Sequence, residues 1–228
     1  RLRRLENFVP TEVGRTMGFV GMPWIEGRRL AAHDGKDAAV LEHIGLYIAC
    51  AAGAPLDERE ADAAVGRLTD MLLCNVKEAL GDGWQTRAAR LRVQARTSEM
   101  RLSYGDGRLA PHEWVRTPDG NIIKTDANGH WNDHTLVGKQ SVVWDVAGAV
   151  IEWDLNDAQV EFLVRVLADC GIKVNGPALE FYKSAYLAFR IGIITFGIGQ
   201  AQNDPEEQAR LSSALETYKR KLRIILTV

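Results

Sequence analysis

Apolar residues recur at three- and four-residue steps through most of this chain, and at two-residue steps in only a few short runs, so the pattern predicts a mostly helical protein. Val40, Ile44, Tyr47 and Ile48 mark an amphipathic helix over 34–53, and a second is predicted over 57–80, where Asp57 stands as N-cap with Glu60 three residues on. Beyond Gln140 the helical period returns over 140–153, 158–170 (closed by Gly171), 178–202 and 206–226. Asn203-Asp204-Pro205 separates the last two, with proline suited to a first helical position. Residues 188–202 are apolar on every face and carry Gly192, Gly197 and Gly199, which predicts a buried structural helix that neighbours approach closely.

Between the two helical halves the period changes. Met100, Leu102 and Tyr104 alternate as a strand that runs into a glycine-containing loop. Trp114-Val115 and Ile122-Ile123 flank Pro118-Asp119-Gly120-Asn121, residues that favour a turn, and so predict a β-hairpin. The candidate chemistry lies here. Asp106 follows the first strand, His112 and Glu113 precede the hairpin, and Asp126 falls just beyond it. A hairpin brings its open ends together, so these four side chains are expected to converge. Carboxylates held that close repel unless a cation lies between them, and hard oxygen donors favour Mg²⁺ or Mn²⁺. A metal-assisted reaction on a phosphate is therefore expected. Each aspartate also has a plainer role open to it: Asp106 and Asp126 as turn caps, Asp145 as a structural acceptor. Lys124, on the hairpin, is expected to face solvent.

His130 and His134, four residues apart with Asp133 between them, offer a competing Zn²⁺ site that Asp126 or His112 would complete. Asn128-Gly129 and Asn132-Asp133 disfavour the regular helix such a site needs, and no glutamate occupies the position of a general base.

The order of loop, hairpin and following helix resembles the catalytic half of the aminoglycoside phosphotransferase and choline kinase group, within the protein-kinase-like fold. Tyr104-Gly105-Asp106 matches the family's His-Gly-Asp tripeptide with Tyr in place of His, Asp126 in Ile-Ile-Lys-Thr-Asp matches its metal-binding aspartate, and Asp145 in Trp-Asp-Val-Ala-Gly matches the aspartate that braces the catalytic loop. The family's metal-binding Asn is absent; Pro111-His112-Glu113 stands there, so Glu113 or His112 would have to supply the second ligand. Upstream, residues 17–27 resemble the last strand of a kinase small lobe running into the hinge, which makes Met22 and Trp24 candidates for the adenine site. The sixteen residues before them are too few for a glycine-rich phosphate loop with its lysine, so the chain is expected to be a fragment. The resemblance implies an α+β, mostly helical large lobe over 28–228 with a small catalytic β-hairpin, and a remnant of small lobe and hinge over 1–27.

It also implies the chemistry: transfer of the γ-phosphoryl of ATP to a hydroxyl of a small molecule. Asp106 would orient and deprotonate the acceptor, and Asp126 with Glu113 or His112 would hold Mg²⁺ on the phosphates. Glu152 or Asp154 is available should the acceptor be a cation. The missing Asn and the Tyr for His leave an inactive kinase-like binding module as an alternative, and the acidic cluster with His130 and His134 a metal-dependent phosphoester hydrolase.

Composition narrows this little further. With 228 residues, 46% of them hydrophobic, the chain can bury the core of one domain. A net charge of −2 gives no general attraction to nucleic acid or to anionic membranes. Cys50, Cys74 and Cys170, far apart in apolar helical contexts, are expected to be reduced core residues of a cytoplasmic protein. The longest apolar run, 191–198, is far shorter than a membrane span of about 20 residues.

Overall fold

Local capping sets where the helices begin. A computed structural model describes residues 5–95, 100–103, 107–126 and 140–227. In chain order these form β1 (Gly14–Thr16), β2 (Phe19–Gly21), β3 (Arg28–Arg29), a 3₁₀ turn (Ala32–Lys36), α1 (Ala38–Ala51), β4 (Ala52–Pro55), α2 (Glu58–Leu80), α3 (Asp82–Arg90), a 3₁₀ turn (Leu91–Gln94), β5 (Arg101–Ser103), a 3₁₀ turn (Pro111–Glu113), β6 (Trp114–Arg116), β7 (Ile122–Lys124), α4 (Val143–Glu152), α5 (Asp157–Asp169), α6 (Gly176–Gln200) and α7 (Pro205–Thr227). The Asp57–Glu60 box is present: the Asp57 carboxylate accepts from Glu60 N at 2.8 Å, and the Glu60 carboxylate accepts from Asp57 N at 3.3 Å.

The first helix starts later than its periodicity predicts. The Arg28 guanidinium grips Asp34 at 2.7 and 2.9 Å, and Ala31 N donates to the same carboxylate at 2.8 Å, which tightens 32–36 into a 3₁₀ turn. Asp37 then caps α1 by accepting from Ala39 N at 3.0 Å. The hydrogen bonds from Arg28 hold the Asp34 carboxyl at about 2, below its ordinary 3.8. A depressed folded-state pKa gives stability that is present above the unfolded value and lost as pH falls from about 4 towards 2. Asp34→Asn should lower the unfolding free energy by about 1 kcal/mol or less at pH 6, since Arg28 is half exposed, and by clearly less near pH 2, where the carboxyl is partly protonated. Urea unfolding at the two pH values checks this.

α3 was not among the helices expected from the sequence, where the pattern ended at residue 80. Gly81, at φ 96°, ends α2 and lets α3 start at once with Asp82 in its first turn. The glycine-rich end of α6 also departs from expectation. Ala188, Phe189, Ile191 and Ile194 are buried, but only one face of the helix end is covered, where Gly197 lies against Leu211, and Phe196 is 69% exposed.

α6 packs against α2, α4 and α7, while α1 packs on α5 and α3 spans α2 and α7. Gly45 permits the α1–α5 contact, since a Cβ there would lie 2.7 Å from Val166 Cγ1. α4 is buried from Val143 to Ile151 and forms the centre of the core with Trp114, Trp153, Phe181, Tyr182 and Tyr186. Each such side chain contributes roughly 1.5–3 kcal/mol of hydrophobic stabilisation. Two of the cysteines are not core residues as expected: Cys74 and Cys170 are exposed, while Cys50 is half-buried against the core. Among the described residues no helix is long and apolar enough to cross a membrane.

Candidate active site

Two-residue alternation builds the platform of the site. β6 pairs antiparallel with β7 in the register Trp114 to Lys124, Val115 to Ile123 and Arg116 to Ile122, and β3 adds to the other edge of β6. Gly27 makes that third strand possible, because a Cβ there would lie 2.4 Å from Arg116 O. The hairpin turn is closed by Gly120 N to Thr117 O at 2.9 Å, with Asn121 Nδ2 donating to Asp119 at 2.6 Å. The preceding segment carries the two candidate adenine-site residues, Met22 half-buried and Trp24 84% exposed.

Lys124 does not face solvent. It is 0% exposed, and its Nζ donates to Glu113 Oε2 at 2.7 Å and to Asp126 O at 2.6 Å, lying 5.7 Å from the Trp114 ring centre. Position 124 is fixed on the inner face because Trp114, its register partner, fills the core. The fold therefore brings Glu113 and Asp126 together, with a lysine between them. Glu113 is buried, His112 beside it is exposed, and Asp126 presents an exposed carboxylate at the end of β7. Among the described residues no group of three or more His, Cys, Asp or Glu side chains is arranged to hold a metal ion. One exposed carboxylate still suits Mg²⁺, which keeps waters and phosphate oxygens in most of its six positions. Asp106, His130, Asp133 and His134 lie outside the described residues.

The described residues on either side of 104–106 are tied to α4 and to the segment that leads into it. Ser103 N donates to Gln140 O at 2.9 Å and Val142 N to Arg101 O at 2.8 Å. Trp144 Nε1 donates to Gly107 O at 3.1 Å and Trp153 Nε1 to Leu109 O at 2.7 Å. Asp145, 1% exposed, accepts a short hydrogen bond from the hydroxyl of Ser103, the last described residue before Asp106. Asp145→Ala should cost roughly 2–4 kcal/mol of stability by removing a buried carboxylate from the core and stripping the half-buried Ser103 hydroxyl of its acceptor, measured as a drop in the urea midpoint at unchanged slope.

About two turns further on α4, a cluster that sequence reading missed surrounds Glu152. Tyr186 OH donates to its carboxylate at 2.8 Å, Tyr218 OH at 2.8 and 2.9 Å, and Arg190 Nε lies at an ion-pair distance of 3.2 Å. Burial, reinforced by the Glu152 charge, pushes the Tyr218 hydroxyl up to about 12 and that of Tyr186 well above its ordinary value. Burial works against the Arg190 charge, but the Tyr186 and Glu152 oxygens outweigh it and raise its pKa. Asp154 is matched as well, by Lys221 at 2.8 Å. The signal for the cluster was the four-residue spacing of Tyr186 and Arg190 within the otherwise apolar run from Ala185 to Ile194.

No family model matches the sequence, and no curated protein matches it. Solved structures do. The choline kinase LicA from Streptococcus pneumoniae is 11% identical, superimposes over 100% of this chain and 78% of its own with a TM-score of 0.67, and is also matched in complex with AMP, at 13% and 0.62. A choline/ethanolamine kinase family protein from Mesorhizobium loti gives 11% identity and 0.66 over 99% and 80% of the two chains. The macrolide 2′-phosphotransferase MphH from Brachybacterium faecium gives 12% and 0.58 over 91% and 73%. At such identities the likeness lies in the path of the chain. The protein thus has the kinase-like fold shared by the choline kinases and the antibiotic phosphotransferases.

Proposed function

We propose that the chain is an ATP- and Mg²⁺-dependent phosphotransferase acting on a hydroxyl of a small molecule. The observation that carries this reading is the superposition of the whole chain on a choline kinase. The AMP complex of LicA supports an adenine nucleotide as donor. In this reading residues 1–27 belong to the small lobe and hinge, with Met22 and Trp24 beside the adenine, and 28–228 form the large lobe.

Asp106 orients the acceptor hydroxyl and takes its proton as the new oxygen–phosphorus bond forms, while the bond from the γ-phosphorus to the β–γ bridging oxygen breaks and ADP leaves. Asp126 would hold the metal through its side-chain oxygens, with exposed His112 as a candidate further ligand. Mg²⁺ held there would neutralise charge on the phosphates. Asp145, Trp144 and Trp153 hold Ser103, Gly107 and Leu109, on either side of Asp106. Glu152 and Asp154 already pair with Arg190 and Lys221, so recognition of a cationic acceptor is not assigned to them. Cysteines far apart in the sequence, two of them exposed, suit the reducing cytoplasm.

A second reading, an inactive kinase-like binding module, draws on one observation: Glu113, where the family places its Asn, is held by Lys124. ADP release by the full-length protein, measured across hydroxylated amines, sugars, nucleosides and macrolides, separates the two. Release that requires one acceptor supports the phosphotransferase. Release without any acceptor points to a hydrolase, and no release with any compound points to the binding module.

A further inference from the structure

Glu113 and residues 124–126 are joined more closely than a hairpin end requires. Thr125 donates to Glu113 O twice, from its amide at 2.8 Å and its hydroxyl at 3.0 Å. Lys124 then bridges the Glu113 carboxylate and the Asp126 carbonyl with a single ammonium, and its own amide donates to Phe8 O at 2.7 Å. Burying this pair, 0% and 8% exposed, loses the hydration of two charges, and an apolar pair of the same volume is often no less stable. Stability alone therefore does not account for it. What an apolar pair cannot do is hold a main-chain oxygen, and the one held here belongs to Asp126. The same ammonium, 2.7 Å from Glu113 Oε2, also offsets the charge that a metal ligand would offer and repels a second cation.

We infer that Lys124 is a positioning residue, fixing the backbone of Asp126 against the Glu113 loop, and that Glu113 is its internal counter-anion and not a ligand of the metal. The part of this that concerns metal rests on the phosphotransferase reading. The arrangement of the backbone does not. Lys124 sets the direction in which the Asp126 carboxylate leaves the strand, so that the metal-binding oxygens stand ready before nucleotide arrives.

The test uses four proteins: wild type, Asp126→Asn, Glu113→Gln, and the double variant Lys124→Met with Glu113→Leu, which removes both charges and keeps apolar packing under Trp114. Two quantities are read. Mn²⁺ affinity in the presence of ADP is followed by the paramagnetic resonance of free Mn²⁺, and hydrogen exchange of the Thr125 amide is followed without metal. The double variant is expected to keep its melting temperature within a few degrees, to lose about tenfold or more in Mn²⁺ affinity, and to exchange Thr125 about tenfold faster. Glu113→Gln, which leaves Lys124 an oxygen to bond, should change Mn²⁺ affinity far less than the roughly tenfold cost of losing a ligand's support. The inference is overturned if Glu113→Gln weakens Mn²⁺ as much as Asp126→Asn does, or if the folded double variant matches wild type in both readouts. If Asp126→Asn itself leaves Mn²⁺ binding unchanged, it is the phosphotransferase reading that fails, and Thr125 exchange alone decides the role of Lys124. Should the double variant not fold, Lys124→Met with Glu113→Gln replaces it under the same readouts.

Discussion

Asp126→Ala is expected to make ATP bind equally well with and without Mg²⁺, removing an enhancement of about 10- to 100-fold. Asp126 is an exposed residue just beyond β7, and its carbonyl is pinned by Lys124. Removing the side chain thus takes away the oxygens proposed to bind metal and leaves the strand end held. Calorimetric titration of ATP into both proteins, with Mg²⁺ and with EDTA, measures the effect. A Mg²⁺ enhancement that survives in Asp126→Ala places the metal elsewhere.

Glu152→Ala should destabilise the protein by about 3–5 kcal/mol, more than any other single carboxylate removal discussed for this chain. It would leave Arg190, with a side chain 18% exposed, without its counter-charge, and would strip the hydroxyls of Tyr186 and Tyr218 of their shared acceptor. Two residues along, Asp154→Ala should cost under about 1 kcal/mol, because its ion pair with Lys221 is 76% exposed on the acid side. Urea unfolding of the two variants gives the comparison. Equal, small losses would mean that the α4–α6–α7 cluster contributes little to the fold.

The hairpin and the later helices were legible because each rests on a local signal. Pro118 to Asn121 supplies the turn between alternating apolar residues, and Asp57 with Glu60 writes its own cap. The order of Asp106 loop, hairpin and Asp145 helix was enough to suggest the kinase-like fold that the solved structures share, although no family model matches the sequence. What local signals could not show was which distant residue claims a charged side chain. Asp34 looked like the start of a helix until Arg28, six residues upstream, took its carboxylate. Lys124 looked like a surface lysine because charge usually stays in water; only the burial of Glu113 and the Asp126 carbonyl beside it gives its ammonium partners inside. Glu152 looked available to a ligand because Tyr186, Arg190 and Tyr218, which surround it, come from two helices much later in the chain. The free faces of Cys74 and Cys170 were hidden in the same way, since an apolar neighbourhood in sequence does not fix which side of a helix the core covers.

The central claim, that the γ-phosphoryl of ATP passes to a small-molecule hydroxyl under the care of Asp106, is tested most directly by following the label of γ-³²P-ATP in wild type and in Asp106→Ala. Wild type should move the label onto the hydroxyl of one acceptor, with one ADP formed for each phosphate transferred. Asp106→Ala should bind ATP with nearly unchanged affinity and transfer label at least about 100-fold more slowly, since a base acting on the acceptor contributes mainly in the transition state. Label that never leaves ATP across the whole acceptor panel, or Asp106→Ala turning over at the wild-type rate, would contradict it.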